Sequence, residues 1–222
     1  MISKLPRWVW AGAWALAFIA GMVNVVGFLG FEHQAVTHLT GTTSMLGAAI
    51  AELDRPMALH LLAVLASFVA GTTLSGFLIQ DSTLQLGHRY GVALFLESVM
   101  LAITVPLLEH HQSYGIYLAS CACGLQNAMA STYSGSAVRT THVSGMFTDL
   151  GIYLGHALRG IRVDSRRLRL CVIIISAFLC GGVAGAAGFH RWGYATLYIP
   201  AFLTGVGSLV YEAYQFRRTK HL

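Results

Sequence analysis

Six runs of about twenty almost uncharged apolar residues constrain this chain more than any other feature; they lie near 8–30, 57–79, 89–108, 113–133, 169–189 and 193–214. A helix of that length crosses a hydrocarbon core of ~30 Å. The chain as a whole is 55% hydrophobic and only 10% charged, against roughly a quarter charged in soluble domains. The runs are continuously apolar and do not alternate every second residue, so they predict helices and not a barrel. The fold class expected is an all-α integral membrane protein forming a single membrane domain over 1–222. Only "DSTLQLGHR", "EHHQS" and "RGIRVDSRR" read as loops, which leaves no segment for a soluble domain. The N-terminus starts basic, like a signal peptide, but lacks a clear small-residue cleavage site. Its long run, with Trp8, Trp10 and Trp14 near one end, predicts a retained first span.

Two further segments, about 36–53 and 137–158, are helix-length but polar in their first halves. The first contains "AVTHLTGTTSMLG" and the second "AVRTTHVSGMFTDLG". Gly-x-x-Asn precedes each copy, at Gly21 and Asn24 and again at Gly124 and Asn127. An aromatic-x-x-Gly with small residues follows each, in "SFVAGTTLSG" and "AFLCGGVAGA". Four features in one order point to a duplication with halves 1–110 and 111–222, an organisation that recurs in transporter folds.

Charge constrains the topology without choosing one. With eight crossings and a cytoplasmic N-terminus, only Arg89, Arg139 and Arg191 lie outside; with six crossings and two segments that dip in and return, only Arg55 and Arg191 do. Both models obey the positive-inside rule and put both termini and the basic stretch 159–169 in the cytoplasm. An even number of crossings per half makes the halves parallel, and an odd number inverts them. Six full spans plus two short or broken motif helices is the favoured reading, because the polar starts of the motif segments suit lipid poorly.

The stretches "GMVNVVGFLGFEHQAVTHLTGTTSMLG" and "GLQNAMASTYSGSAVRTTHVSGMFTDLG" resemble the YoaK-like family (domain of unknown function 1275) of bacterial polytopic inner-membrane proteins. The resemblance implies a multi-pass protein of the bacterial inner membrane and no established activity. In that family an acidic residue stands where this chain has Asn24, and Thr-Gly-Asn where it reads Thr40, Gly41, Thr42. The second-half pattern is matched by Gln126, Asn127, Ser144, Gly145, Thr148 and Asp149. With its pattern intact, the second half is expected to hold more of any shared site's chemistry.

His38 and His142 occupy matching positions, one residue after Thr and three before Gly. An imidazole inside a bilayer needs a partner or water and can carry a proton; a hydrogen bond to a neighbouring helix is the plainer explanation. Thr37, Thr40, Thr42, Thr43 and Ser44, with Thr140, Thr141, Ser144 and Thr148, put hydroxyls on more than one helix face, and satisfying their own backbone or gluing helices together explains most of them. Gly41 and Gly145, flanked by hydroxyls, allow a helix break that aims free N–H groups at a cavity. Glu97, Asp149 and Arg139 are ionisable groups in or beside apolar runs, which face a cavity or a partner by default. Asn24 and Asn127 either cap the motif helices or contact solute.

The substrate-binding candidates are therefore Asn24, His38, Thr40, Gly41, Asn127, His142, Ser144, Gly145 and Asp149, with Glu97 as the proton-coupling candidate. The small-residue runs "GTTLSG" and "GGVAGAAG" predict close helix packing. Cys121, Cys123, Cys171 and Cys180 lie in apolar runs and read as core residues, so no metal or cofactor is expected. No Ser-His-Asp or His-Glu-x-x-His arrangement is visible, and the chain is not expected to be an enzyme. The leading expectation is a small-solute secondary transporter or permease with its site where the halves meet. The alternative is a non-transporting scaffold or regulatory protein acting through the basic loop 159–169. Expected partners are membrane lipid, a small polar or anionic solute and a further copy of the chain, with no nucleic acid.

Overall fold

Each of the six apolar runs forms one helix, and each motif segment forms a shorter one. The computed structural model describes residues 7–30, 37–79, 89–134 and 139–219. In chain order the elements are α1 (Arg7–Gly30), α2 (Leu39–Ala51), α3 (Arg55–Leu78), α4 (Arg89–Glu109), α5 (Tyr114–Ser134), α6 (Val143–Leu158), α7 (Ser165–Trp192) and α8 (Tyr198–Thr219), with a 3-10 turn Gly193–Leu197 between the last two. No strand occurs among the described residues.

Local chemistry sets several boundaries. Asp54 accepts a hydrogen bond from the Met57 amide and Pro56 occupies the first turn of α3, where its missing N–H costs nothing. Asp164 accepts from the Arg166 amide in the same way. That cap starts α7 at Ser165, four residues earlier than the apolar run alone predicts, and draws Arg166, Arg167 and Arg169 out of the expected loop into helix.

Among the described residues, four stretches are long and apolar enough to cross a membrane: Val9–Gly30, Arg55–Leu78, Arg89–Glu109 and the 52-residue Ser165–Phe216, which holds α7 and α8. The chain is thus a helical protein of membrane type. Between lipid-soluble helices there is little hydrophobic drive, so association depends on close packing of small residues. A Cβ on Gly21 would overlap the Phe178 carbonyl oxygen, one on Gly181 that of Phe18, and one on Gly185 would lie 2.9 Å from the Met22 backbone, fastening α1 to α7. A Cβ on Gly71 would overlap the carbonyl oxygen of Cys121, and one on Gly124 that of Phe68, fastening α3 to α5. Gly71 and Gly181 open the two small-residue runs, whose packing role is thereby visible.

The same contacts give helix directions. Phe18 meets Gly181 and Met22 meets Gly185, so α1 and α7 are parallel. His60 bonds Tyr117 (2.8 Å), Ser120 donates to the Val64 carbonyl (3.0 Å) and Phe68 meets Gly124, so α3 and α5 are parallel too. Ser98 donates to the Ala201 carbonyl (2.6 Å) and Ser208 to that of Gly91 (2.8 Å), making α4 and α8 antiparallel. The α4–α5 hairpin is antiparallel as well, with Leu108 against Gly115. Helices α1, α4 and α7 therefore run one way and α3, α5 and α8 the other.

The two short helices pack from opposite ends. α2 lies on α3 and α6 on α7. The turn Glu52–Asp54 joins α2 to the start of α3, the end of the bundle where α1 finishes, whereas α6 ends beside the start of α7, where α1 begins. At 13 and 16 residues they rise only ~20 and ~24 Å, less than a hydrocarbon core.

Candidate functional site

Inside the bundle, the starts of α2 and α6 are each tied to an amide side chain of a long helix. The Thr37 hydroxyl and backbone N–H both donate to Asn24 Oδ1, at 2.6 and 3.2 Å. Asn24 lies six residues before the end of α1, so α2 begins ~9 Å inside the bundle. At the other motif the Thr140 hydroxyl donates to Gln126 Oε1 at 3.2 Å. Gln126 lies eight residues before the end of α5, which puts the approach to α6 ~12 Å inside from the opposite end. Both helix starts carry the positive end of a helix dipole inward.

Gln126 extends its network. Its Nε2 donates to Glu97 Oε1 on α4 at 2.8 Å. Glu97, Gln126 and Thr140 are all buried, and Glu97 is only 2% exposed. The second carboxyl oxygen, Glu97 Oε2, has no hydrogen-bond partner among the described residues, and neither has Asn127 Oδ1. A buried polar atom without a partner costs about 1–3 kcal/mol, so each of these atoms marks a point where a hydrogen-bond donor would be stabilised, and at Glu97 a proton or a cation as well.

The remaining candidates are placed otherwise. His38 and His142 are the residues immediately before α2 and α6, both exposed, with similar backbone angles and no capping hydrogen bond from either ring. Each ring folds over the glycine three residues on: a Cβ on Gly41 would lie 2.6 Å from His38 Nδ1, and one on Gly145 would overlap the His142 ring. The His-x-x-Gly spacing in both copies thus has a steric cause. Thr40 and Ser144 are exposed, and their backbone carbonyls accept from Ser44 and Thr148 respectively. Asp149 is half-buried beside Cys171 on the α6 face that meets α7, and no ion pair joins it to Arg139 among the described residues.

Thr37, Gln126 and Thr140 were not among the sequence candidates. A signal for Gln126 exists: it and Glu97 lie the same distance from the α4–α5 turn in an antiparallel hairpin, so they sit at one depth. Among the described residues no group of three or more His, Cys, Asp or Glu could hold a metal.

A cavity of about 490 Å³ opens elsewhere, between α1 and α8 and closed by the ends of α4 and α5 that face them. None of the ten sequence candidates lines it. The motif chemistry and this void are separate features of the molecule.

The family model for proteins of unknown function DUF1275 matches residues 12–210. The chain belongs to that family. The match covers α1 to most of α8, so every helix described above is part of the DUF1275 unit. Neither a curated protein nor a solved structure matches this DUF1275 protein.

Proposed function

We propose that this DUF1275 protein is a small-solute secondary transporter or permease, multi-pass in a bacterial inner membrane, built from two inverted halves. Each half contributes a long helix, a short motif helix and two further long helices: α1 to α4, then α5 to α8. Under that pairing α1–α7 corresponds to α5–α3, and two glycine contacts of each pair correspond, Gly21 on Phe178 with Gly124 on Phe68 and Gly181 on Phe18 with Gly71 on Cys121. Six long helices then cross, three per half, which inverts one half against the other. The positive-inside rule puts the end holding Arg7, Arg89 and the 159–169 stretch in the cytoplasm, with both termini.

The observation that carries the transport reading is the pair of short helices entering from opposite ends, each starting inside beside an amide. Half-helices of this kind in transporters turn dipole ends and free backbone groups toward a solute at the membrane midplane. The solute path runs past Asn24 and Thr37 on one side and Gln126, Thr140 and Asn127 on the other. Glu97, with one carboxyl oxygen unpartnered, is the group proposed to couple a proton. We propose no reaction chemistry and no cofactor.

The test is flux through proteoliposomes holding the full chain. A panel of small polar and anionic solutes is offered under an imposed proton gradient. At least one should accumulate above protein-free vesicles, and Glu97→Gln should retain downhill exchange while losing the response to the gradient. No flux of any solute in either direction would overturn the proposal. A scaffold role through the basic loop has one observation in its favour, the exposure of Leu158 (90%) and Ile161 (46%) on either side of Arg159. It predicts a partner lost when Arg159 and Arg162 are neutralised.

A further inference from the structure

The cavity between α1 and α8 belongs to neither motif, and its chemistry differs from theirs. It is lined by α1 from Val9 to Ile19, by α8 from Leu203 to Tyr214, and by the nearby ends of α4 and α5. Its counterpart on the other side of the bundle is filled: α4 packs closely on α5, whereas α1 and α8 touch only lightly. At about 490 Å³ it falls within the size range of ligand pockets, roughly 300–1,000 Å³.

Two observations identify its occupant. Three of the five hydroxyls in the wall are already engaged: Ser134 donates to the Ala130 carbonyl at 2.8 Å, Thr204 to that of Pro200 at 3.0 Å, and the Tyr211 hydroxyl accepts from Gln215 Nε2 at 2.9 Å, and the rest of the lining is almost wholly apolar. A polar solute would surrender its hydration and recover little, whereas an alkyl chain loses nothing. The second observation is charge. The cavity occupies the end of the bundle where Arg7 opens α1, Arg89 opens α4 next to the lining Tyr90, and Arg217 and Arg218 follow the lining Tyr214 within about one turn of α8. Arg89 is exposed. The acidic Glu212 on α8 is turned against Gly91.

We propose that this cavity binds an anionic phospholipid, one acyl chain lying between α1 and α8 and the phosphate held at the basic end. Tyrosines at the mouth suit that depth, where an amphipathic ring meets the headgroups.

Two lining glycines supply the test. Gly12 has nothing within 4 Å of an added Cβ, and Gly207 only Leu94 Cδ1 at 3.9 Å. Unlike the glycines that fasten α1 to α7, these border the void. Gly12→Leu and Gly207→Leu should fill it while improving helix propensity.

The full-length protein is purified in detergent, incubated with phosphatidylglycerol or phosphatidylcholine, and weighed by native mass spectrometry. Wild type should retain phosphatidylglycerol in preference to phosphatidylcholine, and its thermal midpoint should rise with the anionic lipid. Both leucine variants should lose the adduct and the midpoint shift. Arg89→Gln should keep the site and cut the preference about fivefold, the value of one basic side chain near a headgroup. Equal retention of the two lipids, undiminished adducts in both leucine variants, or a protein dimer occupying the groove in place of lipid would each overturn the proposal. If one leucine variant fails to fold, the other carries the comparison. Transport is not needed for any of these readouts, so this proposal and the permease reading fail independently.

Discussion

At the residue scale, glycines with the same sequence signature do different work. Gly71 and Gly181 each sit against a carbonyl of a partner helix, so Gly71→Leu or Gly181→Leu must push two long helices apart. Thermal or denaturant unfolding in detergent should register a loss of about 1–3 kcal/mol or more. Gly41 and Gly145 meet only a histidine ring, the movable end of a side chain. Gly41→Ala and Gly145→Ala should therefore stay within about 0.5 kcal/mol of wild type in the same assay, the ring swinging away while alanine favours the helix. Thr37→Val removes the hydroxyl that donates to Asn24 while keeping the backbone N–H that also does, and should cost about 1 kcal/mol. The packing glycines were readable as a class, because small residues recur where membrane helices touch. The contact each one makes was not, since nothing in "GTTLSG" says whether Gly71 or Gly76 faces a neighbour; Gly76 has open space around it.

At the element scale, every helix was legible from hydropathy but not every boundary: the Asp164 cap starts α7 four residues early, a 3-10 turn over Gly193–Leu197 delays α8 to Tyr198, and α6 starts only at Val143. The polar starts of 36–53 and 137–158 pointed to short or broken helices, and the helices there are indeed short. Harder to read was what their polar residues touch. The matching positions of His38 and His142 record a ring folded over a glycine in both copies. The buried polar contacts fell instead to Thr37 and Thr140, because what decides burial is the partner amide on α1 or α5, a long-range contact that local spacing does not encode. The placement of the two starts carries its own prediction. His38→Cys and His142→Cys, each in a cysteine-free background, should react with an impermeant thiol reagent from opposite sides of an oriented vesicle. Labelling of both from one side would contradict entry from opposite ends.

At the scale of the whole molecule, α1 packs on α7 and α3 on α5, so the two proposed halves interleave. Glu97 belongs to the first half and its partner Gln126 to the second, and this contact crosses the boundary where a shared solute path would lie. The equivalence is incomplete where α1 and α8 leave their cavity, and that asymmetry gives the lipid proposal its place. Charge counts could not separate six crossings from eight, but exposed turns can. Leu53 and His111 both adopt positive φ in turns, and Gly160 and Gly193 lie in the turns before α7 and after it. With every native cysteine replaced, single cysteines at 53, 111, 160 and 193 are labelled with an impermeant thiol reagent in oriented membrane vesicles. Two inverted halves with three crossings each predict that 53, 111 and 193 react from one side and 160 from the other. Reaction of 53, 111 and 160 from the same side, with 193 alone opposite, would mean eight crossings and parallel halves, and would contradict the inverted architecture on which the transport reading rests.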